Sequence, residues 1–202
     1  MFNKKITIAI QSKGRLYEES KKLLSNSGIS FRIIENRLLT RASNVNVDIL
    51  QVRDDDIPAF LVNNVCQLGI IGQNSLLEAQ TLEANVFGGL EQVINLGFGR
   101  CRLSLATPNG MPYDDVSSLA GKTIATSYRG LLSDFLVAKG VDADIVTMEG
   151  AVEVAPRTHL ADAICDLVST GSTLVSNGLT ERDVILNSQA VIIKNNAMPT
   201  EL

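Results

Sequence analysis

Apolar and polar positions alternate along the chain with two periods in turn, one near two residues and one near 3.6. Lys5 to Gln11 is a short β-branched run that predicts a strand. Leu16, Ser20, Leu23, Leu24 and Ser27 then recur at helical spacing, and Gly28 ends that helix. Phe31 to Leu39 predicts a strand, hairpinned with the segment after it, and Val47 to Val52 predicts another. That second run leads into Asp54, Asp55 and Asp56, where an aspartate can cap a helix with Pro58 in its first turn. Ile57, Phe60, Leu61, Val65 and Leu68 supply its apolar face. Leu68 to Ile71 predicts a buried strand closed by Gly72.

The segment from Thr81 to Gly99 carries four glycines, Gly88, Gly89, Gly97 and Gly99, and is softer in pattern. The rhythm then resumes. Strands are expected at Cys101–Ala106, Thr123–Thr126, Ile145–Met148 and Ala163–Val168. A helix carries Leu131, Leu132, Phe135 and Leu136 up to Gly140, and Val184 to Ile193 is expected to form a final β pair. Strands alternating with helices imply mainly parallel sheets covered on both faces. The expected fold is α/β, with two lobes and a central ligand cleft, resembling the periplasmic-binding-protein-like (type II) architecture. The glycine-bearing segment is the candidate crossover. Lobe I is then residues 1–100 plus 178–202, and lobe II residues 101–177.

Composition narrows the classes. The 202 residues are 45% hydrophobic and 20% charged, as in ordinary globular proteins. Trp is absent and aromatics reach only 4%, so the core must rest on Val, Ile, Leu and Ala. The net charge of −4 argues against a general nucleic-acid or anionic-membrane binder, although a few local cations suffice for phosphate. No apolar run is long enough to span a bilayer, and the start of the chain is wrong for a signal peptide. Cys66, Cys101 and Cys165 lie far apart with no metal-ligand spacing, which reads as buried, reduced thiols in the cytoplasm.

The strongest chemical signal is Ala161 to Leu174, ADAICDLVSTGSTL. An apolar strand brings Asp166 near its end. A turn of small hydroxylated residues comes next, around Gly171, and then a helix start. Backbone N–H groups of such a turn, with the hydroxyls of Ser169, Thr170, Ser172 and Thr173, suit a phosphate monoester. Asp166 is placed to accept hydrogen bonds from ribose hydroxyls. The plainer alternative is a strand–turn–helix junction whose Ser and Thr only cap the helix.

Other residues carry the same choice between ligand and scaffold. Lys13 and Arg15, after the first strand, either neutralise substrate phosphates or form a solvated basic turn. Arg53 is either an ion-paired structural residue or a ligand clamp; Asp54 to Asp56 resemble paired carboxylates for acid–base work or metal binding, but at least two of them are expected to cap the helix and pair with Arg53. Arg102 lies between Cys101 and Leu103, a costly place for an idle charge, so it needs a phosphate or an acidic neighbour. Strand alternation puts Arg102, Ser104 and Ala106 on one face and the apolar Cys101, Leu103 and Leu105 on the packed face. Glu153, near a helix start, has a ribose or Mg²⁺-water contact or a solvated helix face as its alternatives. His159, the single histidine, reads as a surface residue.

The segment at 161–174 resembles the phosphoribosyl pyrophosphate loop of phosphoribosyltransferases, and in its full form that of the ATP phosphoribosyltransferase family. The resemblance runs along the chain through Lys13-Gly14-Arg15-Leu16, Val52-Arg53-Asp54-Asp55-Asp56-Ile57-Pro58, Leu68-Gly69-Ile70-Ile71-Gly72, Cys101-Arg102-Leu103-Ser104-Leu105-Ala106, Ala125-Thr126-Ser127-Tyr128 and Gly150-Ala151-Val152-Glu153-Val154-Ala155-Pro156-Arg157. The chain departs from the family at Arg129, where Pro is usual, at Ala151, where Ser is usual, and at His159, where a small residue is commoner.

The resemblance implies transfer of phosphoribosyl from phosphoribosyl pyrophosphate to N1 of the adenine of ATP, with release of pyrophosphate and Mg²⁺, as the first step of histidine biosynthesis. It implies Ser169, Thr170, Gly171, Ser172 and Thr173 for the 5′-phosphate, and Asp166 with Glu153 for the ribose. Lys13, Arg15, Arg53 and Arg102 fall to pyrophosphate and triphosphate. It further implies a dimer-based homo-oligomer and, for the short form of the family, a regulatory subunit resembling histidyl-tRNA synthetase. The end at Leu202 leads us to expect no C-terminal regulatory domain, although Arg53-Asp54-Asp55-Asp56 and the Cys101 motif look more like the long form. Two rivals remain in view: a non-catalytic small-molecule binding module of the same fold, and a regulatory subunit of that fold without turnover.

Overall fold

The computed structural model describes residues 5–34 and 37–196. In chain order the elements are β1 (Ile6–Gln11), α1 (Tyr17–Asn26), β2 (Leu39–Arg41), β3 (Val47–Val52), α2 (Ile57–Val62), β4 (Leu68–Gly72), α3 (Gln73–Leu82), α4 (Ala84–Phe87) and β5 (Leu90–Asn95). They continue with β6 (Cys101–Pro108), β7 (Thr123–Thr126), α5 (Arg129–Lys139), β8 (Asp144–Thr147), β9 (Ala163–Val168), α6 (Ser172–Ser176), β10 (Leu179–Ser188) and β11 (Ala190–Asn195). The chain divides into two compact units, 1–99 with 189–202, and 100–188.

The first unit holds a six-stranded sheet in the order β2-β3-β1-β4-β11-β5. β1 pairs in parallel with β3 and β4, while β2 and β11 run against their neighbours, so β1, β3, β4 and β5 share one direction. Ile8, Ile10, Ile49 and Ile70 pack on one side with Leu24 of α1, and Ala9, Ile71, Val191 and Ile193 on the other with Ile57 and Leu61 of α2. The central strands are thus apolar on both faces, as a covered parallel sheet requires.

The second unit holds a five-stranded sheet in the order β10-β6-β9-β7-β8. β7 pairs in parallel with β8 and β9, and β6 alone opposes the other four in direction. Leu103 and Leu105 bury their side of β6 against Leu132 and Leu136 of α5, which is the packed face the alternation predicts. Ala106, Ala125 and Ile164 pack on the opposite side with Val152 and with Leu174 of α6.

Several expectations change. Residues 31–34, 37 and 38 are irregular, only Leu39–Arg41 is a strand, and the remainder of that predicted run lies outside the described residues; β2 does pair antiparallel with β3. Val184–Ile193 is not one β pair: β10 hydrogen-bonds to β6 and β11 to β4 and β5, in different sheets. The second boundary therefore falls after residue 188, not after 177, because β10 completes the sheet of the second unit. The glycine-bearing segment also contains α4 and β5, and the hydrophobic pattern gives no sign of α3. Its first residues, Gln73, Asn74 and Ser75, hide the helical period.

Candidate functional site

The carboxyl ends of β7, β8 and β9 line one edge of the second sheet, and the loop after β9 is the segment singled out in the sequence. Gly171 has φ +82°, a left-handed conformation that favours glycine, and this turns the chain from Ser169-Thr170 into α6. Thr170 Oγ1 lies 3.0 Å from Ser172 Oγ and accepts weakly from the Ser172 N–H at 3.4 Å. Ser169 Oγ donates to the Arg100 carbonyl at 3.3 Å. Among the described residues the Thr173 hydroxyl bonds to no protein group, although its carbonyl accepts from Asn177.

Behind this loop is a cavity of about 220 Å³. Glu153, Asp166, Ser169, Thr170, Gly171 and Thr173 line it, with Leu167, Val168 and Leu174. Glu153 reaches it from a short 3₁₀ turn, Val152–Val154, entered through Gly150 and Ala151, both at positive φ. For Ala151 that conformation is strained. Burial pushes the Asp166 carboxyl above its usual range, and the Glu153 charge acts in the same direction; the Leu167 N–H, donating at 2.7 Å, opposes them. Two carboxylates, a run of hydroxyls and open backbone donors make a cavity suited to a polyhydroxylated phosphate ester.

Arg102 has the acidic partner. Its Nε and Nη2 donate to Glu181 Oε1 and Oε2, each at 2.5 Å, and Nη1 donates to the Ser169 carbonyl at 3.2 Å. Ser104 Oγ adds a 2.7 Å bond to Glu181 Oε1. This pairing raises Arg102 above its ordinary pKa and holds the Glu181 carboxyl below its own. The fork expected to clamp a phosphate is therefore engaged within the protein. Sequence reasoning misses Glu181, whose only signal is a charged triplet, Glu181-Arg182-Asp183, inside a β run.

The remaining candidates lie in the first unit, beyond the carboxyl ends of β1 and β3. Lys13 and Arg15 are exposed in the loop after β1, and the Arg15 guanidinium donates to the Gly99 carbonyl. Arg53 is exposed and only 4.0 Å from an equally exposed Asp55 carboxylate, a contact too loose to bind it. No aspartate caps α2: Asp54–Asp56 form a 3₁₀ turn without a capping side-chain bond, and Pro58 stands in the first helical turn as expected. Asp54 instead turns inward. Its Oδ2 accepts from Ser75 Oγ of α3 at 2.5 Å, and among the described residues its buried Oδ1 has no hydrogen-bond partner. Burial raises its pKa to about 6, against the pull of Ser75 and of the Arg15 charge. His159 is exposed at a left-handed turn, and the three cysteines are buried thiols outside any disulfide. Among the described residues no helix is long and apolar enough to cross a membrane.

Comparison with known proteins gives one family match and three structural likenesses. Residues 53–201 match the family model described as "HisG: ATP phosphoribosyltransferase". The fold is similar to a chain of the ATP phosphoribosyl transferase (HisG:HisZ) complex from Thermotoga maritima, at 30% identity and a TM-score of 0.77, over 95% of this chain and 88% of that one. It is also similar to XAC2383 from Xanthomonas citri bound to ATP (TM-score 0.61, 16% identity, 96% and 78% covered) and to the periplasmic aliphatic sulphonate binding protein SsuA from Escherichia coli (0.61, 14%, 95% and 65%). The last two likenesses concern the fold alone, and the one to SsuA bears out the expected periplasmic-binding-protein-like architecture.

Proposed function

Because the chain belongs to the ATP phosphoribosyltransferase family, we propose that it joins ATP to phosphoribosyl pyrophosphate, the first step of histidine biosynthesis, in the cytoplasm. The observation that carries this reading is the cavity behind the 169–173 loop, with Asp166 and Glu153 on its wall. The loop N–H groups and the hydroxyls of Ser169, Thr170, Ser172 and Thr173 take the 5′-phosphate. Asp166 and Glu153 accept from the ribose hydroxyls. Lys13, Arg15 and Arg53 are the cations for pyrophosphate and for the triphosphate of ATP. Arg102 moves from clamp to brace, since its donors already serve Glu181 and the Ser169 carbonyl.

In this reaction the N1 lone pair of adenine forms a bond to C1′ of the ribose. The C1′–oxygen bond breaks and its electrons leave with pyrophosphate. No side-chain nucleophile is required, so the protein contributes positioning and charge stabilisation. Mg²⁺ would enter with the substrate and would supply positive charge to the departing pyrophosphate. The Thermotoga neighbour comes from a HisG:HisZ complex, and we extend to this chain a dimer-based oligomer with a regulatory subunit of that kind. The test is turnover with ATP, phosphoribosyl pyrophosphate and Mg²⁺, monitored by the product's ultraviolet absorbance, with and without such a subunit. Product formation supports the reading. Tight substrate binding without product under both conditions would make the chain a binding or regulatory module.

A further inference from the structure

Antiparallel pairing sets Ser104 of β6 opposite Asp166 of β9, and Arg102 opposite Val168. Directly opposed residues project to the same side of a sheet, so Arg102 and Asp166 are diagonal neighbours at a spacing long side chains span. An arginine and a half-buried carboxylate so placed would ordinarily pair. Among the described residues they do not, and apart from burial the charge felt at Asp166 is that of Glu153. Among the described residues, Glu153 from the 3₁₀ turn is the charge that acts on Asp166, Arg102 on this face is paired with Glu181 of β10, and β7, on the other side of β9, carries no charged residue.

Glu181 accounts for the missing pair. It takes two of the Arg102 nitrogens, and the hydroxyl of Ser104, the residue directly opposite Asp166 across the β6–β9 ladder, is turned to the same carboxylate. The remaining donor, Nη1, reaches the carbonyl of Ser169, the first residue after β9. A bulge aims Glu181 at this spot: β10 advances from Glu181 to Val184 while β6 moves only from Ala106 to Ser104. The neighbouring charges have other tasks, Arg182 bonding Thr107 and Met111, and Asp183 accepting from the Tyr113 hydroxyl.

We infer that Glu181 is a positioning residue of the phosphoribosyl site, which holds the Arg102 guanidinium on the Ser169 carbonyl and off Asp166, so that Asp166 stays available to ribose hydroxyls. The inference rests on the function proposed above. Glu181 touches no substrate in this scheme. It fixes the root of the phosphate loop and prevents an internal ion pair from filling the ribose position.

The test compares the full wild-type chain with Glu181→Gln and with Arg102→Gln/Glu181→Gln. Phosphoribosyl pyrophosphate with Mg²⁺ is titrated calorimetrically into each, and the Asp166 carboxyl is titrated by carbon NMR, assigned with Asp166→Asn. In Glu181→Gln the freed guanidinium turns to Asp166, lowering its titration midpoint by about one pH unit or more. Affinity falls about tenfold or more, since an ion-paired carboxylate must be released first. The double variant returns the midpoint to the wild-type value and regains part of the affinity. A midpoint unmoved in Glu181→Gln, or a double variant that binds no better than the single one, overturns the inference and leaves Glu181 a structural residue. If Glu181→Gln melts below the assay temperature, Glu181→Asp carries the same test, because its shorter reach withdraws one of the two bonds to Arg102. A wild-type chain that fails to bind phosphoribosyl pyrophosphate removes the proposed function and this inference together. Intact wild-type binding with an unmoved midpoint removes the inference alone.

Discussion

Asp54 and Asp166 stand at comparable places, one just past the carboxyl end of β3 and the other two residues before the end of β9, each strand lying within a parallel pair. Burial raises both carboxyls above their usual range. The chain beyond each strand differs. After β3 it makes a 3₁₀ turn straight into α2, and Ser75 of α3 donates to the Asp54 carboxyl at 2.5 Å. After β9 it swings through Gly171, and Asp166 opens on the cavity with, among the described residues, the adjacent N–H of Leu167 as its donor. Burial alone therefore does not mark a ligand group. The space left by the next loop does, and here a left-handed glycine makes that space.

The two positions should respond differently to the same isosteric change. Asp166→Asn should lower kcat/KM for phosphoribosyl pyrophosphate about a hundredfold, the order expected for losing charged acceptors to sugar hydroxyls, with little change in melting temperature. Steady-state kinetics and a melting curve on one preparation check it, and near-normal kinetics would return Asp166 to the scaffold. Asp54→Asn should act on stability instead. With a folded pKa of about 6 against an ordinary value of 3.8, the native state holds its proton more tightly than the unfolded chain. The stability this provides is complete below the unfolded pKa and is lost as pH rises through about 6. Asp54→Asn should therefore gain about 2–3 kcal/mol over wild type at pH 8, a difference that shrinks to nothing below about pH 3, as read from denaturant unfolding. A pH-independent difference would show that Asp54 titrates normally.

Smaller effects should separate the two regions further. Thr173→Ala should weaken phosphoribosyl pyrophosphate binding about tenfold by calorimetry, through loss of a hydroxyl donor to a charged phosphate. Unchanged affinity in the folded variant would make the hydroxyl a bystander. Asp55→Ala, next to Asp54 but exposed, should alter stability by less than about 0.5 kcal/mol, because its contact with Arg53 is loose and solvated. A larger loss by denaturant unfolding would mean that Arg53 is structurally held.

The strand and helix order is legible where one period runs uninterrupted, as in Lys5–Gln11, Cys101–Ala106 and the α5 face of Leu132 and Leu136. It fails where polar residues are buried. Asn74 and Ser75 open α3 inside the protein, and their burial is invisible to a hydrophobic pattern. The loop at 169–173 is legible for a local reason: strand, small hydroxylated turn, glycine and helix start are consecutive, so the residues that line the cavity arrive together. Glu153, from another turn, joins them through the resemblance of its segment.

What the sequence determined alone is what short-range physics controls: the alternation of elements, the turn at Gly171, the grouping of Ser169 to Thr173, and the family. Tertiary structure decided the partners of the charges. Arg102 and Glu181 are 79 positions apart, and only the antiparallel seam of β6 and β10, bulged between Glu181 and Val184, brings them within hydrogen-bond reach. Tertiary structure also sent β10 and β11 to different sheets, because strand pairing depends on which edges the rest of the chain leaves open.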